Sequence, residues 1–177
     1  MSSHFTVQRA VILGIAAALV AGPLTPHAGA SSTPSLSTFD TRLLHYINDA
    51  RTARGMRALR AVAGTTDVAH HWSCHLASSS YLSHDANLVA ALDTHGSALW
   101  TTYGENVGLQ ATAYTARDLF RSYMNDPAHR ANILDPAFRY VGIWTKRHNG
   151  RRWNTIDFVG SPISSYTTAY GSTRVTC

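Results

Sequence analysis

Two runs of β-branched and aromatic residues near the C-terminal end of the chain are separated by the dipeptide Asn149-Gly150. The first run extends from Tyr140 to Thr145 and the second from Trp153 to Val159. Such runs favour strands, and Asn-Gly favours the left-handed backbone of a two-residue hairpin turn. The sequence therefore predicts an antiparallel β-hairpin, and the rest of the chain has to pack around a sheet.

The chain before this hairpin has helical periodicity instead. Between Asp40 and Arg54 apolar side chains recur at helical spacing, and Gly55 stands where a helix commonly ends. Further helices are predicted from near Thr66 through Leu76, from the capping pattern Thr115/Asp118 to Pro127, and from Ala128 to Leu134. An additional strand is predicted over Gly104 to Leu109. Three or four helices around a small antiparallel sheet make an α+β or layered αβα domain.

The N-terminus has the order of a secretory signal peptide. Arg9 precedes an apolar stretch from Ala10 to Ala21, and the small residues Ala28-Gly29-Ala30 follow. Because a membrane span needs about 20 apolar residues, a signal over residues 1–30, cleaved after Ala30, is favoured over a retained anchor. The Ser-, Thr- and Pro-rich residues 31–38 then form a flexible leader, and residues 39–177 form one domain. We expect a secreted protein with no transmembrane segment in its mature part.

The cysteine content fits export. Two cysteines, Cys74 and Cys177, are present in the whole chain. In an oxidising compartment an even pair is more often bridged than free. A Cys74–Cys177 disulfide would hold the C-terminal tail against a helix, although the sequence does not show whether the two sulfurs meet.

The formal net charge of +5 suits an anionic partner such as a cell-wall polymer or a lipid head group. The basic residues, however, are dispersed, and aromatic residues do not alternate with them as in nucleic-acid-binding surfaces. The charge is therefore typical of a solvated surface, and no nucleic-acid partner is expected.

The motifs of the common enzyme classes are missing from this sequence. It contains no HExxH, no P-loop, no dinucleotide-binding glycine pattern and no GxSxG. What it offers is a set of imidazoles and carboxylates at the ends of predicted elements, within the segments Ser83-His84-Asp85, Gly104-Glu105-Asn106 and Asp126-Pro127-Ala128-His129-Arg130. With ten histidines in the chain, this spacing alone does not establish a shared site.

In their order and in their residues, these segments resemble those of the CAP (SCP-like) superfamily. It comprises the cysteine-rich secretory, antigen 5 and plant pathogenesis-related proteins and their bacterial relatives. The pairing of GEN with a downstream YMNDPAHRANIL is the most specific part of the resemblance. The matching segments cover nearly the whole mature chain: Leu43–Arg54, Ala69–Asp85, Tyr103–Gly108, Leu119–Phe138 and Val141–Ile143.

The resemblance implies an αβα sandwich with a cleft that holds two histidines and two acidic residues. It places the imidazoles at His84 and His129 and the first carboxylate at Glu105. The second acid is commonly a glutamate in a W-x-x-E segment and would fall on Asp126, whose shorter side chain departs from the pattern. Two imidazoles are a weak site for Zn²⁺ or another divalent cation, whereas a buried hydrogen-bonded network without a ligand is the structural alternative.

Three functions are compatible with these residues. The resemblance favours an extracellular binding module for a lipid, a cell-wall polymer or a protein, and no Ser, Cys or Thr nucleophile in these motifs is tied to a carboxylate–imidazole pair. The alternative is a metal-assisted extracellular hydrolase or protease that uses Glu105, His84 and His129 as catalytic residues. A third is a protein that only stabilises the cell envelope. We expect the protein to be a monomer.

Overall fold

The structure is a computed structural model that describes residues 35–95, 100–162 and 177. The predicted signal peptide, residues 1–30, lies outside the described residues. Within the described ranges no helix is both long enough and apolar enough to span a bilayer.

The described residues form five helices and four strands. The helices are α1 (Thr38–Thr52), α2 (Ala63–Ser79), α3 (Leu88–His95), α4 (Ala116–Asn125) and α5 (Pro127–Ile133). The strands are β1 (Arg60–Ala61), β2 (Thr102–Ala111), β3 (Tyr140–His148) and β4 (Arg151–Gly160). They form one sheet in the order β1-β3-β4-β2.

The sheet is built on the predicted hairpin. β3 and β4 pair antiparallel, and the turn between them has positive φ at Asn149 (47°) and Gly150 (70°), as a two-residue hairpin requires. The predicted third strand is β2, which pairs antiparallel with β4 along its whole length. The three long strands form the predicted antiparallel sheet, and the two-residue β1 adds a short parallel pairing with β3 at its edge.

The alternation of side chains along the strands divides the core into two layers. The cross-strand pair Ile143 and Ile156 is fully buried in a cluster with side chains of α1, α4 and α5. The pair Tyr140 and Val159, which points to the opposite face, packs against α2 and α3. The sheet therefore lies between two helical layers, which confirms the predicted αβα sandwich.

The predicted helices are present with shifted ends. The capping box at Thr115 forms, with the Thr115 side chain bonded to the Asp118 backbone and the Asp118 side chain bonded to the Thr115 backbone. α2 begins at Ala63, ahead of the predicted start near Thr66, and has no side-chain cap. α3 was not predicted from the sequence, because it is only eight residues long and buries few side chains from which a helical period can be read.

The first described residues already belong to the fold. Ser37 is the N-cap of α1, where its hydroxyl accepts a hydrogen bond from the Asp40 backbone N–H. Leu36 packs against the larger core cluster. These contacts hold the last part of the predicted flexible leader, residues 31–38, against the domain, because a cap and an apolar side chain fix its backbone.

Arg51 connects α1 to the segment that follows α5. The side chain is fully buried and donates to four carbonyl oxygens, those of Arg57, Ile133, Asp135 and Phe138. Burial lowers its pKa, and the nearby Asp135 opposes that effect. One guanidinium thus satisfies several backbone acceptors that no secondary structure pairs.

The disulfide between Cys74 and Cys177 is present, as predicted. It joins residues 103 positions apart and attaches the last residue of the chain to α2. Nε2 of His70 lies 3.7 Å from the Cys177 sulfur.

Candidate functional site

Among the described residues, the closest pairing of an imidazole with a carboxylate lies between the loop after α2 and strand β2. Nδ1 of His84 lies 2.6 Å from Oε1 of Glu105, and the same oxygen accepts a 3.1 Å hydrogen bond from the Asp85 backbone N–H. The His84 side chain is 63% exposed, whereas that of Glu105 is 4% exposed. The pair therefore presents an imidazole to solvent and holds it from behind with a buried carboxylate.

Burial is the largest influence on the pKa of Glu105. Desolvation raises the pKa of this carboxyl, and the hydrogen bond with His84 opposes the rise. An ionised Glu105 accepts from Nδ1–H of His84, which leaves Nε2 as the free ring nitrogen. The second oxygen of Glu105, Oε2, is buried and has no hydrogen-bond partner among the described residues.

His129 and Asp126 form a second, looser pair at the start of α5. Oδ1 of Asp126 accepts from the backbone N–H groups of Ala128 and His129, so Asp126 is the N-cap of the helix. The same oxygen lies 3.5 Å from Nδ1 of His129. The backbone N–H of His129 lowers the pKa of Asp126, which keeps this exposed acid ionised next to the imidazole.

His84 acts electrostatically on His129. Burial lowers the pKa of His129, Asp126 opposes this, and the charge on His84 lowers it further. His84 and His129 therefore lie close enough to interact electrostatically. The structure brings all four predicted residues, His84, Glu105, Asp126 and His129, into one region as two acid–imidazole pairs.

Amide side chains tie these pairs into one framework. Nδ2 of Asn132 donates to the backbone oxygen of Glu105 (3.0 Å) and to Oδ1 of Asn106 (2.9 Å), and Nδ2 of Asn106 donates to the backbone oxygen of His129 (3.1 Å). A Cβ on Gly104 would lie 2.9 Å from Oδ1 of Asn132. The lack of a side chain at Gly104 therefore lets α5 approach β2 closely enough for these bonds.

A cleft of about 320 Å³ opens beside the first pair. Its lining comes from the loop after α2 (His84, Asp85, Ala86), from α3 (Leu88, Val89) and from β2 (Tyr103, Glu105). We call it the His84 cleft. The Tyr103 side chain is exposed, and Trp100 packs edge-on against its ring with the centroids 5.4 Å apart.

A closely spaced group of possible metal-ligand atoms lies apart from His84 and His129, elsewhere in the described part of the chain. Among residues 35–95, 100–162 and 177, His70, Cys74 and Cys177 are the one set of three His, Cys, Asp or Glu residues whose ligand atoms lie within 4.8 Å of each other. Its two sulfurs are joined in the disulfide. His84 and His129 are thus at most a two-ligand site, which binds a divalent cation weakly.

Two further acids of this region were not assigned to the site from the sequence. Asp85, which was noted only as part of the segment Ser83-His84-Asp85, lines the His84 cleft, and the fully buried Asp157 is the cross-strand partner of Glu105. The signal for Asp157 is a single acid inside the apolar run Trp153–Val159, where a buried charge is costly.

Comparison with known proteins gives a consistent result. The model of the CAP family, described as the cysteine-rich secretory protein family, matches residues 44–158. A curated protein of Bacillus subtilis strain 168, the uncharacterized protein YkwD, is 24% identical over 138 residues, which are 68% of this chain and 51% of that protein. The chain therefore spans about half the length of this relative.

Solved structures share the fold. One is an extracellular protein with an SCP domain from Bacillus anthracis strain Ames, with a TM-score of 0.63, 22% identity, and coverage of 80% of this chain and 45% of that one. Another is an outer surface protein of Borrelia burgdorferi, with a TM-score of 0.61, 11% identity, and coverage of 68% of this chain and 91% of that one. At these identities the likeness concerns the fold alone.

Proposed function

Because the chain belongs to the CAP, or cysteine-rich secretory protein, family, we propose that it is a secreted binding domain whose ligand occupies the His84 cleft. The ligand is an amphiphile with an apolar body and a hydroxyl head. The observation that carries this proposal is the composition of the cleft, where a polar acid–imidazole pair stands next to an apolar wall.

The apolar wall suits the body of such a ligand. Leu88, Val89 and Tyr103 line the cleft, and the side chains of Val89 and Tyr103 remain 39% and 44% exposed. Covering exposed apolar surface gains about 25 cal/mol per Å². A volume of about 320 Å³ is at the lower end for small-molecule sites.

The polar end suits a hydroxyl. Nε2 of His84 is left free by the hydrogen bond from Nδ1 to Glu105, and an unprotonated Nε2 accepts a hydrogen bond from an alcohol. The acids Asp85 and Glu105 line the same cleft and would repel an anionic head. A neutral, hydroxyl-bearing head therefore fits better than a carboxylate or phosphate.

The test is a binding titration with decanol, followed by two-dimensional NMR of the purified protein. Decanol is expected to shift the resonances of the His84 cleft, and its methyl ether, which has no hydroxyl donor, is expected to bind more weakly. Tyr103→Ser should weaken decanol binding about tenfold, which corresponds to about 1.4 kcal/mol of lost contact.

Tyr114 provides a matched control. It is 57% exposed and does not line the His84 cleft, so Tyr114→Ser should leave the affinity unchanged. Equal effects of the two substitutions, or shifts scattered over the surface, would reject the cleft as the binding site.

The pair formed by His129 and Asp126 favours a second candidate function, that of a metal-assisted hydrolase. Both imidazoles have Nδ1 next to a carboxylate, at 2.6 Å for His84 and 3.5 Å for His129, as metal-binding histidines commonly do. His84 and His129 would hold the ion through their Nε2 atoms. A bound divalent cation would supply Lewis acidity and an activated water, and Glu105 would keep the His84 ring oriented.

A further inference from the structure

Asp157 lies in the middle of the sheet, directly behind the acid of the site. Its partner in β2 is Glu105 and its partner in β3 is Gly142. Cross-strand partners project from the same face of a sheet, with Cβ atoms about 5 Å apart. The two carboxyl groups therefore face the same small volume under α2.

Three of the four carboxyl oxygens of this pair have no hydrogen-bond partner in the part of the chain that the structure describes. Oδ1 and Oδ2 of Asp157 and Oε2 of Glu105 are all buried and unpaired. On the β3 side α2 packs so closely on Gly142 that the Thr65 carbonyl leaves no room for a Cβ. Unpaired carboxylate oxygens in such a place are costly.

The charged groups that act on Asp157 are both acidic. Burial raises its pKa well above the ordinary value, and Glu105 from β2 and Asp85 from the loop after α2 raise it further. α2 contributes the hydroxyls of Thr65 and Thr66, which are buried without partners, and β3 contributes a glycine. His84, from the same loop as Asp85, lowers the pKa of Glu105, but it is not among the charged groups that act on Asp157.

A single proton shared between the two carboxyl groups would pair two of these three oxygens, one on each residue. We propose that Asp157 is a positioning residue for the site: it stays protonated at neutral pH and donates a hydrogen bond to Oε2 of Glu105. Oε1 of Glu105 is then left to His84 and to the Asp85 backbone N–H. The resulting chain runs from the neutral Asp157 through the ionised Glu105 to the exposed imidazole.

The positioning role of Asp157 follows from the geometry of the Glu105 carboxyl group. A hydrogen bond to an ionised carboxylate favours its charged form, so the Asp157 proton counteracts the burial of Glu105. It also fixes the rotation of the carboxyl group, so that Oε1 points at Nδ1 of His84. This role presupposes that the His84 cleft is the ligand site, as proposed above, but the proton on Asp157 can be measured without any ligand.

The primary experiment is carbon-13 NMR of the carboxyl groups in the purified protein, recorded against pH. The Asp157 signal is assigned by its disappearance in Asp157→Asn. We expect the Asp157 carbon to keep the chemical shift of a neutral acid at pH 7. A carboxylate shift at pH 7, with the charge held by a buried water or by the threonine hydroxyls, overturns the proposal.

The second experiment follows the Nδ1–H proton of His84 at low temperature, where a hydrogen bond to a carboxylate moves its resonance downfield. Asp157→Asn retains an N–H donor toward Glu105 and should preserve the signal. Asp157→Leu has a similar size but no donor, and the signal should weaken or disappear. A signal that persists in the leucine variant means that Asp157 does not position Glu105.

Failure of the amphiphile titration and failure of this inference are distinguishable. Loss of decanol binding with a neutral Asp157 rejects the ligand and retains the hydrogen-bonded chain. Binding of decanol by a protein whose Asp157 is ionised retains the ligand and rejects the hydrogen-bonded chain.

Discussion

Nδ1 of His84 lies 2.6 Å from Oε1 of Glu105, although the two residues are 21 positions apart and the imidazole is mostly exposed while the carboxylate is buried. The contact joins the loop after α2 to the edge strand β2. It gives the domain a surface imidazole whose orientation is set from inside the protein.

Removal of both site histidines should abolish zinc binding. His84→Ala/His129→Ala eliminates the two imidazoles that would hold the ion, so isothermal titration of the metal-stripped protein near neutral pH should show saturable binding only in the wild type. The affinity should be modest, because two protein ligands leave most of the coordination shell to water.

The control for this titration uses the two histidines His71 and His75, which lie one helical turn apart on the exposed face of α2. His71→Ala/His75→Ala should bind zinc like the wild type. Equal binding by all three proteins would remove the metal-assisted hydrolase from consideration.

Acidification should destabilise the domain through His129. Burial lowers its pKa in the folded state, so the neutral ring is preferred and the stabilisation is complete above the unfolded pKa of about 6.5. The stabilisation is lost as the pH falls from that value through the folded pKa. Urea unfolding at a series of pH values should therefore show a decline below about pH 6.5 that is smaller in His129→Gln.

His71→Gln on the exposed surface of α2 is the matched substitution for this series and should keep the slope of the wild type. If His129→Gln retains the full decline, the destabilisation comes from another group.

Replacement of Arg51 should be among the most damaging single changes. Arg51→Met removes the donor of the carbonyl oxygens of Arg57, Ile133 and Phe138 and leaves that of Asp135 with only the 3.4 Å bond from the Phe138 backbone N–H. Each buried unsatisfied acceptor costs about 1–3 kcal/mol, so the free energy of unfolding should fall by about 3 kcal/mol or more. Arg54→Met, at an exposed position of the same turn, should cost less than about 0.5 kcal/mol. Comparable losses in the two variants would contradict the proposed role of Arg51.

Loss of the disulfide should lower stability without altering the site. The Cys74–Cys177 bond joins residues that are 103 positions apart. Removal of a native disulfide from a small secreted domain typically lowers the free energy of unfolding by about 2–5 kcal/mol. The double variant Cys74→Ser/Cys177→Ser should unfold at lower urea concentration and bind decanol with unchanged affinity, since neither cysteine lines the His84 cleft. A changed affinity would mean that the tail contributes to the cleft.

Several parts of this structure are specified locally. The Asn149-Gly150 turn, the capping box at Thr115 and the end of α1 before Gly55 depend on residues within a few positions of each other, and all three can be read from the sequence. The α+β class follows from them. The residues of the site were identified through the resemblance to a family, because their spacing alone was uninformative.

The tertiary structure decided which of these residues act on each other. The sequence determined that the chain has helices, a hairpin and a set of acids and histidines at their ends. Packing made Glu105 the buried partner of His84, gave Asp126 its second role as a helix cap, and placed Asp157 behind Glu105. Burial and cross-strand register fix these relationships, and both depend on strands and helices that are distant in the chain, so no local pattern could reveal them.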